Sequence, residues 1–119
     1  MSIKLDVKVR LWRSSEIAMG PGKADLLDAI SQTGSISAAA RQMNMSYRRA
    51  WLLVDAMNRC FRAPLVHTAA GGPKGGGAHV SDAGAAILAQ YRCMQQASNA
   101  AVQVYLAAIE AQLAPGINE

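Results

Sequence analysis

A chain of 119 residues with 51% hydrophobic and 17% charged residues is the size of one folded domain and too apolar to be disordered. Its formal net charge is +4, unevenly placed: residues 41–74 hold Arg41, Arg48, Arg49, Arg59, Arg62 and Lys74 against Asp55 alone, and the remainder sums to −1. No apolar run of about 18 residues occurs, because Gln90, Arg92, Gln95, Gln96 and Asn99 interrupt the alanine-rich C-terminal half, which excludes a transmembrane helix.

The N-terminus opens without a signal-peptide pattern. Leu5, Val7, Val9 and Leu11 alternate with Asp6, Lys8 and Arg10, which predicts a half-buried strand over residues 5–12. Gly20-Pro21-Gly22 marks a turn or helix start. A first helix follows over residues 23–33, with Leu26, Leu27 and Ile30 on one face and Asp25 and Asp28 towards solvent.

Residues 34–51 carry the most information. Gly34 suits the left-handed end of the first helix. Ser35 or Ser37 caps a second helix over about residues 36–43, in which Ile36, Ala39, Ala40 and Met43 form an apolar stripe. The small alanines permit a close helix crossing. Asn44 tolerates the left-handed turn, and Met45 plugs the corner. Ser46 caps a third helix over residues 46–61, which places Tyr47, Arg48 and Arg49 in its first turn. Cations there oppose the helix dipole, so Arg48 and Arg49 point to an anionic partner beyond that end. The spacing is that of a helix-turn-helix whose second helix enters the DNA major groove. Ala50, Val54 and Met57 face inward, flanked by Tyr47 and Trp51. Arg48, Leu52, Asp55 and Arg59 face outward, where Leu52 is suited to a thymine methyl.

Pro64 is expected to stop the third helix. Residues 65–68 and 78–80 then read as two short strands around the glycine-rich segment 69–77, forming a wing with Lys74 near its tip. The first strand is expected to add to this hairpin and complete a three-stranded sheet. Ser81 caps a long last helix, with Asp82 in its first turn, running to about Leu113 before Pro115-Gly116. Ile87, Tyr91, Met94, Ser98, Ala101, Tyr105 and Ala108 make a four-three seam along it. A domain this small does not cover so long a helix, and its alanine-rich core is thin, so the seam predicts a partner helix from a second subunit.

The fold class is therefore mainly α with a small β-sheet: a winged helix-turn-helix over residues 1–81, followed by a dimerisation helix and tail over 82–119. Other chemistries are weakly supported. Lys74 is followed by glycines and a strand, not by Ser or Thr and a helix, so the wing is not a nucleotide-binding loop. His67, His79 and Cys60 lack metal-ligand spacing, and Cys60 and Cys93 read as free thiols of a cytoplasmic protein. No nucleophile, base and orienting group can be named, which argues against an enzyme. A winged-helix protein-interaction module and a small-ligand sensor are the alternatives to DNA binding.

The chain resembles the N-terminal DNA-binding domain of the ModE family of molybdate-responsive transcription regulators. The resemblance is carried by Gly34-Ser35-Ile36-Ser37, Ser46-Tyr47-Arg48 with Ala50-Trp51, Met57-Asn58, and the wing with Gly71-Gly72 and Lys74-Gly75-Gly76-Gly77. Val80-Ser81-Asp82-Ala83-Gly84 is similar, more loosely, to LysR-type regulators. The resemblance implies a homodimer, paired through the first strand region and the long helix, on a palindromic operator in double-stranded DNA. It places Ser46, Tyr47, Arg48 and Arg49 at the major groove or its phosphates, and Thr68, Gly72, Lys74 and Gly75 at the backbone or minor groove. Trp51 is expected to pack the helix in place. Arg41, Arg59 and Arg62 are expected on phosphates, and Ile87, Tyr91, Met94, Ala101 and Tyr105 at the dimer seam. Full-length relatives carry C-terminal oxyanion-binding domains, which have no counterpart in this sequence. No molybdate binding, no metal and no cofactor are therefore expected of this chain.

Overall fold

The computed structural model describes residues 3–69 and 77–115. Among these residues nine elements follow in chain order: β1 (Leu11–Arg13), β2 (Glu16–Met19), α1 (Pro21–Thr33), α2 (Ile36–Gln42), α3 (Tyr47–Cys60), β3 (Val66–Thr68), β4 (Ala78–Val80), α4 (Asp82–Gln103) and α5 (Leu106–Glu110).

Three helices form the body. Leu26, Leu27 and Ile30 of α1, Ile36, Ala39 and Ala40 of α2, and Ala50, Val54 and Met57 of α3 meet in one buried cluster. The punctuation between them follows the residue chemistry. Gly34 ends α1 at φ 71° and donates its N–H to the Ile30 carbonyl. The Ser35 hydroxyl accepts from the Ala38 N–H and starts α2. Asn44 takes φ 56° in the turn, Met45 packs on the core, and the Ser46 hydroxyl accepts from the Arg49 N–H.

The wing is tied to this body on two sides. Asn58 near the end of α3 accepts from the N–H groups of Leu65 and Val66 and donates to the Val66 carbonyl. The N–H of Ala78 donates to the Gly34 carbonyl at 2.9 Å. β3 and β4 pair antiparallel, with His67 opposite His79 and Val66 opposite Val80. Ser81 closes the hairpin: its hydroxyl donates to the Pro64 carbonyl and accepts from the Gly84 N–H. α3 stops at Cys60, where Phe61 turns extended, so Pro64 lies beyond the stop.

The N-terminal part departs from the sequence expectation. The described residues form two separate two-stranded sheets, not one of three strands. β1 folds back on β2 through a turn in which Ser14 has φ 55°, with a register shift between Leu11 and Trp12. β2 was not legible in the sequence, because Glu16, Ile17, Ala18 and Met19 are too short a run to show a period. Residues 3–10 have no strand partner among the described residues. The alternation is nevertheless real: Ile3, Leu5, Val7 and Val9 are half-buried while Lys4, Asp6, Lys8 and Arg10 are exposed.

The long last helix is interrupted. Val104 and Tyr105 form a turn in which the Tyr105 N–H donates to the Val102 carbonyl, three residues back. Two β-branched valines at 102 and 104 weaken the helix there. The N-terminal half of α4 belongs to the body: Tyr91 is buried and its hydroxyl donates to the Val9 carbonyl at 2.6 Å. Arg92 reaches across to α1 and donates to Asp25 and Asp28. These two carboxylates are thus structural ties to α4 and not solvent decoration. Burial would lower the Arg92 pKa, but its bonds to Asp28 and Asp25 outweigh this and raise it.

Candidate nucleic-acid interface

The second helix of the helix-turn-helix, α3, presents two different faces. Ala50, Val54 and Met57 are sealed in the core, and Tyr47, Arg48, Trp51, Leu52 and Asp55 are exposed. Tyr47 and Leu52 keep 53% and 56% of their surface, beside Trp51 at 37%. The Trp51 indole donates to the Tyr47 hydroxyl at 2.5 Å, one helical turn away. That bond ties the two side chains together at the surface.

A shallow depression of about 400 Å³, lined by Tyr47, Arg48, Trp51, Leu52 and Asp55, covers this face. On the Tyr47–Trp51 flank lies a cleft of about 320 Å³ between the start of α2 and the base of the wing, lined by Ser35, Ser37 and Thr68 among others. Ile36, Tyr47 and Trp51 share its wall with these three hydroxyls. Gly72, Lys74 and Gly75 lie outside the described residues.

The arginines separate into two groups. Arg41, Arg48, Arg49 and Arg62 are exposed and form no ion pair among the described residues. Arg59 is committed elsewhere: it binds both oxygens of Glu16 at 2.9 Å and a third carboxylate oxygen from Asp55, also at 2.9 Å. Those bonds raise its pKa further and pull the Glu16 carboxyl below its usual value, with the Cys60 thiol contributing. The expectation that Arg59 meets phosphate thus runs against its geometry, since its guanidinium already pins β2 to α3. The reason was invisible in sequence, because Glu16 is 43 residues away.

Conversely, sequence reasoning missed cations. Lys8, Arg10 and Lys23 gather beside Arg49 in a cleft of about 340 Å³ that is also lined by Gly20, Met45 and Leu53. Burial there pushes the Lys23 ammonium below the usual lysine range, opposed by Cys60 and Glu16, while Arg49 lowers it further.

His67 and His79 are cross-strand neighbours with ring centroids 5.4 Å apart and planes tilted by 47°. Among the described residues, no three His, Cys, Asp or Glu side chains converge as a metal site would need. Cys60 is half-buried and Cys93 exposed, both as free thiols. No helix among the described residues is long and apolar enough to cross a membrane. Of the seam residues, Ile87 and Tyr91 pack on the chain's own core, while Met94, Ala101 and Tyr105 are exposed.

Three helices with a tight α2–α3 turn, a bare basic outer face on α3 and a β-hairpin at its side define a winged helix-turn-helix. The model of the bacterial regulatory helix-turn-helix proteins, lysR family, matches residues 23–85, over half of the chain. The chain belongs to this family.

Its relatives agree with the resemblance to ModE regulators. The molybdenum-pterin-binding protein MopB of Rhodobacter capsulatus is 48% identical over 77 residues, which cover 65% of this chain and 28% of that protein. The molybdenum transport protein ModE of Azotobacter vinelandii is 41% identical over 78 residues, covering 66% and 29%. The DNA-binding transcriptional dual regulator ModE of Escherichia coli K12 is 29% identical over 102 residues, covering 86% and 39%. The chain spans about a third of the length of these relatives.

Proposed function

We propose that this chain is a sequence-specific DNA-binding transcription regulator, linked to molybdenum metabolism, that binds a palindromic operator as a homodimer. The observation that carries the reading is the outer face of α3. Arg48 and Arg49 stand in its first turn without a carboxylate partner among the described residues, beside exposed Tyr47, Trp51 and Leu52. A solvated surface has no use for that concentration of aromatic and guanidinium groups, whereas base edges and thymine methyls do. Arg48 reads a base, Arg49 and Arg41 hold phosphate, and the hydroxyls of Ser35, Ser37 and Thr68 receive the backbone on the wing side, with Lys74 adding charge. The link to molybdenum rests on the names of the relatives.

A second copy of the chain suits the surfaces that remain. Val104, Tyr105 and Ile109, at 73%, 69% and 57% exposure, continue the line of Met94 and Ala101 past the α4–α5 turn. Such a row of apolar groups is costly to leave in water. Residues 3–10 offer a strand-like alternation with no partner in the described chain. A two-fold dimer would set two α3 helices about 34–36 Å, or a multiple, apart along the DNA.

The test is a fluorescence-anisotropy titration against a genomic fragment library at two salt concentrations, with and without molybdate. Selective, salt-steep binding supports the reading. Absence of DNA binding, with capture of a protein partner through α3, would replace it by the interaction-module alternative. In parallel, the double variant Tyr105→Asp, Ile109→Asp should sediment as a monomer and lose operator affinity, and a dimer that survives it would reject this face.

A further inference from the structure

A recognition helix is about 10–12 Å across and the major groove about 12 Å wide, so a helix lying in the groove meets a phosphate backbone on each flank. At about 100° per residue, Arg48, Leu52 and Asp55 share the centre of the outer face of α3. Tyr47 and Trp51 fall to one side, Arg49 and Leu53 to the other. The two clefts follow this division: Tyr47 and Trp51 line the one at the wing, and Arg49 and Leu53 line the one at the N-terminal segment. The wing-side cleft is lined by hydroxyls and apolar side chains, with no charged residue among the described residues of its lining. The opposite cleft gathers four cations from three separate parts of the chain: Lys8 and Arg10 from the N-terminal segment, Lys23 from α1 and Arg49 from α3.

None of these four forms an ion pair among the described residues. The carboxylate that acts on Lys23 is Glu16, and both its oxygens are held by Arg59. The Arg10 stem lies along Gly20, with its Cγ 3.7 Å from where a Cβ on that glycine would stand, so the arginine is laid against the cleft wall. Unneutralised cations converging on one cleft repel each other and lower stability unless an anion fills it. Free solvation explains one such side chain but not four drawn from distant positions.

We propose that the cleft of Lys8, Arg10, Lys23 and Arg49 receives the DNA backbone on the flank of α3 away from the wing, as the second phosphate rail of the recognition helix. This rests on the DNA-binding reading above and adds to it a surface outside the helix-turn-helix and wing. The N-terminal segment thereby becomes part of the nucleic-acid interface through its exposed face, while its half-buried face packs on the body. The contacts are to phosphate, so they set affinity and register and carry no base preference.

The experiment compares the wild type with the triple variant Lys8→Ala, Arg10→Ala, Lys23→Ala on one operator and on unrelated DNA, across a salt series. Each lost phosphate contact lowers the slope of log affinity against log salt by about 1. The expected result is a slope smaller by about 2–3, with an unchanged ratio of operator to unrelated affinity. Thermal melting of the variant checks that it is folded, and each single substitution should give a slope smaller by about 1 if the triple variant is not. Scanning the operator with neutral methylphosphonates should locate the contact: positions that weaken the wild type leave the triple variant unaffected. An unchanged slope in a folded variant overturns the inference while leaving DNA binding intact. A wild type that binds no DNA overturns both readings. Inorganic phosphate that binds the DNA-free wild type but not the variant, without a slope difference, would show a free-anion site and also overturn the rail.

Discussion

Arginine does opposite work in two regions of this molecule. On the frame, Arg59 and Arg92 each grip two carboxylates and fasten elements distant in sequence: β2 to α3, and α4 to α1. On the face of α3 and its flank, Arg48, Arg49 and Arg10 have no such partner among the described residues. The residue type is the same and so is its charge. The difference is whether the fold brings an acid within reach. A charge count along the chain does not see this difference, because it weighs Arg59 like Arg48 and gives no sign that Lys8, Arg10 and Lys23 share a cleft with Arg49.

The comparison breaks most sharply at Gly84. A Cβ there would stand 2.3 Å from the Leu65 carbonyl oxygen and 2.8 Å from a Val80 methyl, at the joint where the wing meets α4. Backbone cannot yield as a flexible side chain does. Gly84→Ala should cost about 2–3 kcal/mol, seen as a large drop in melting temperature. Operator affinity of the fraction that stays folded should change little. A variant as stable as wild type would mean that the joint is looser than drawn.

Arg48→Ala is the mirror-image test on the binding face. An exposed side chain that itself forms no cap and no ion pair can be removed within about 0.5 kcal/mol of stability. If Arg48 makes a bidentate contact with guanine, discrimination at one base pair should fall by roughly 1–3 kcal/mol, measured by competition between operators differing at that pair. Uniform weakening over all sequences would instead make Arg48 a phosphate contact.

Local chemistry was legible where it is governed by neighbours in sequence. Gly34, Ser35, Asn44 and Ser46 each stand in the role their backbone or hydroxyl dictates, and the inward stripe of Ala50, Val54 and Met57 follows helical period. The wing strands and the Ser81 cap were equally readable. What was not legible depended on long-range encounters. The strand over residues 5–12 has the right alternation but not the expected hairpin for a neighbour, because β1 finds β2 through a four-residue run with no period. The seam on the last helix has a regular spacing, yet Tyr91 is spent on Val9 and only the distal residues stay open. Periodicity reports which residues share a face but not what that face meets.

Arg92→Ala tests the frame at lower amplitude. It leaves Asp25 and Asp28 without their cation and frees α4 from α1. The three side chains are partly exposed, so the loss should be about 1 kcal/mol, with a lower melting temperature and unaltered salt dependence of DNA binding. A decrease in the salt slope would move Arg92 from the frame to the interface.

The smallest effect is the pH response of the Arg59–Glu16 pair. Arg59 holds the Glu16 carboxyl below its usual value, so the folded state takes up that proton at lower pH than the unfolded chain does. The pair's contribution is present above the unfolded carboxylate value and is lost as pH falls through the lowered one. Comparing Glu16→Gln with wild type isolates it: the difference in melting temperature should be constant at neutral pH and shrink once the pH drops below 4.5. Both groups are exposed, so the difference should be small throughout. The same variant decides the role of Arg59 at neutral pH. Removing the Glu16 charge loosens the two Nη groups while Asp55 still holds Nε, and an operator affinity that rises with a steeper salt slope would mean that the loosened arginine reaches phosphate. An unchanged slope keeps Arg59 on the frame, where its three carboxylate oxygens place it.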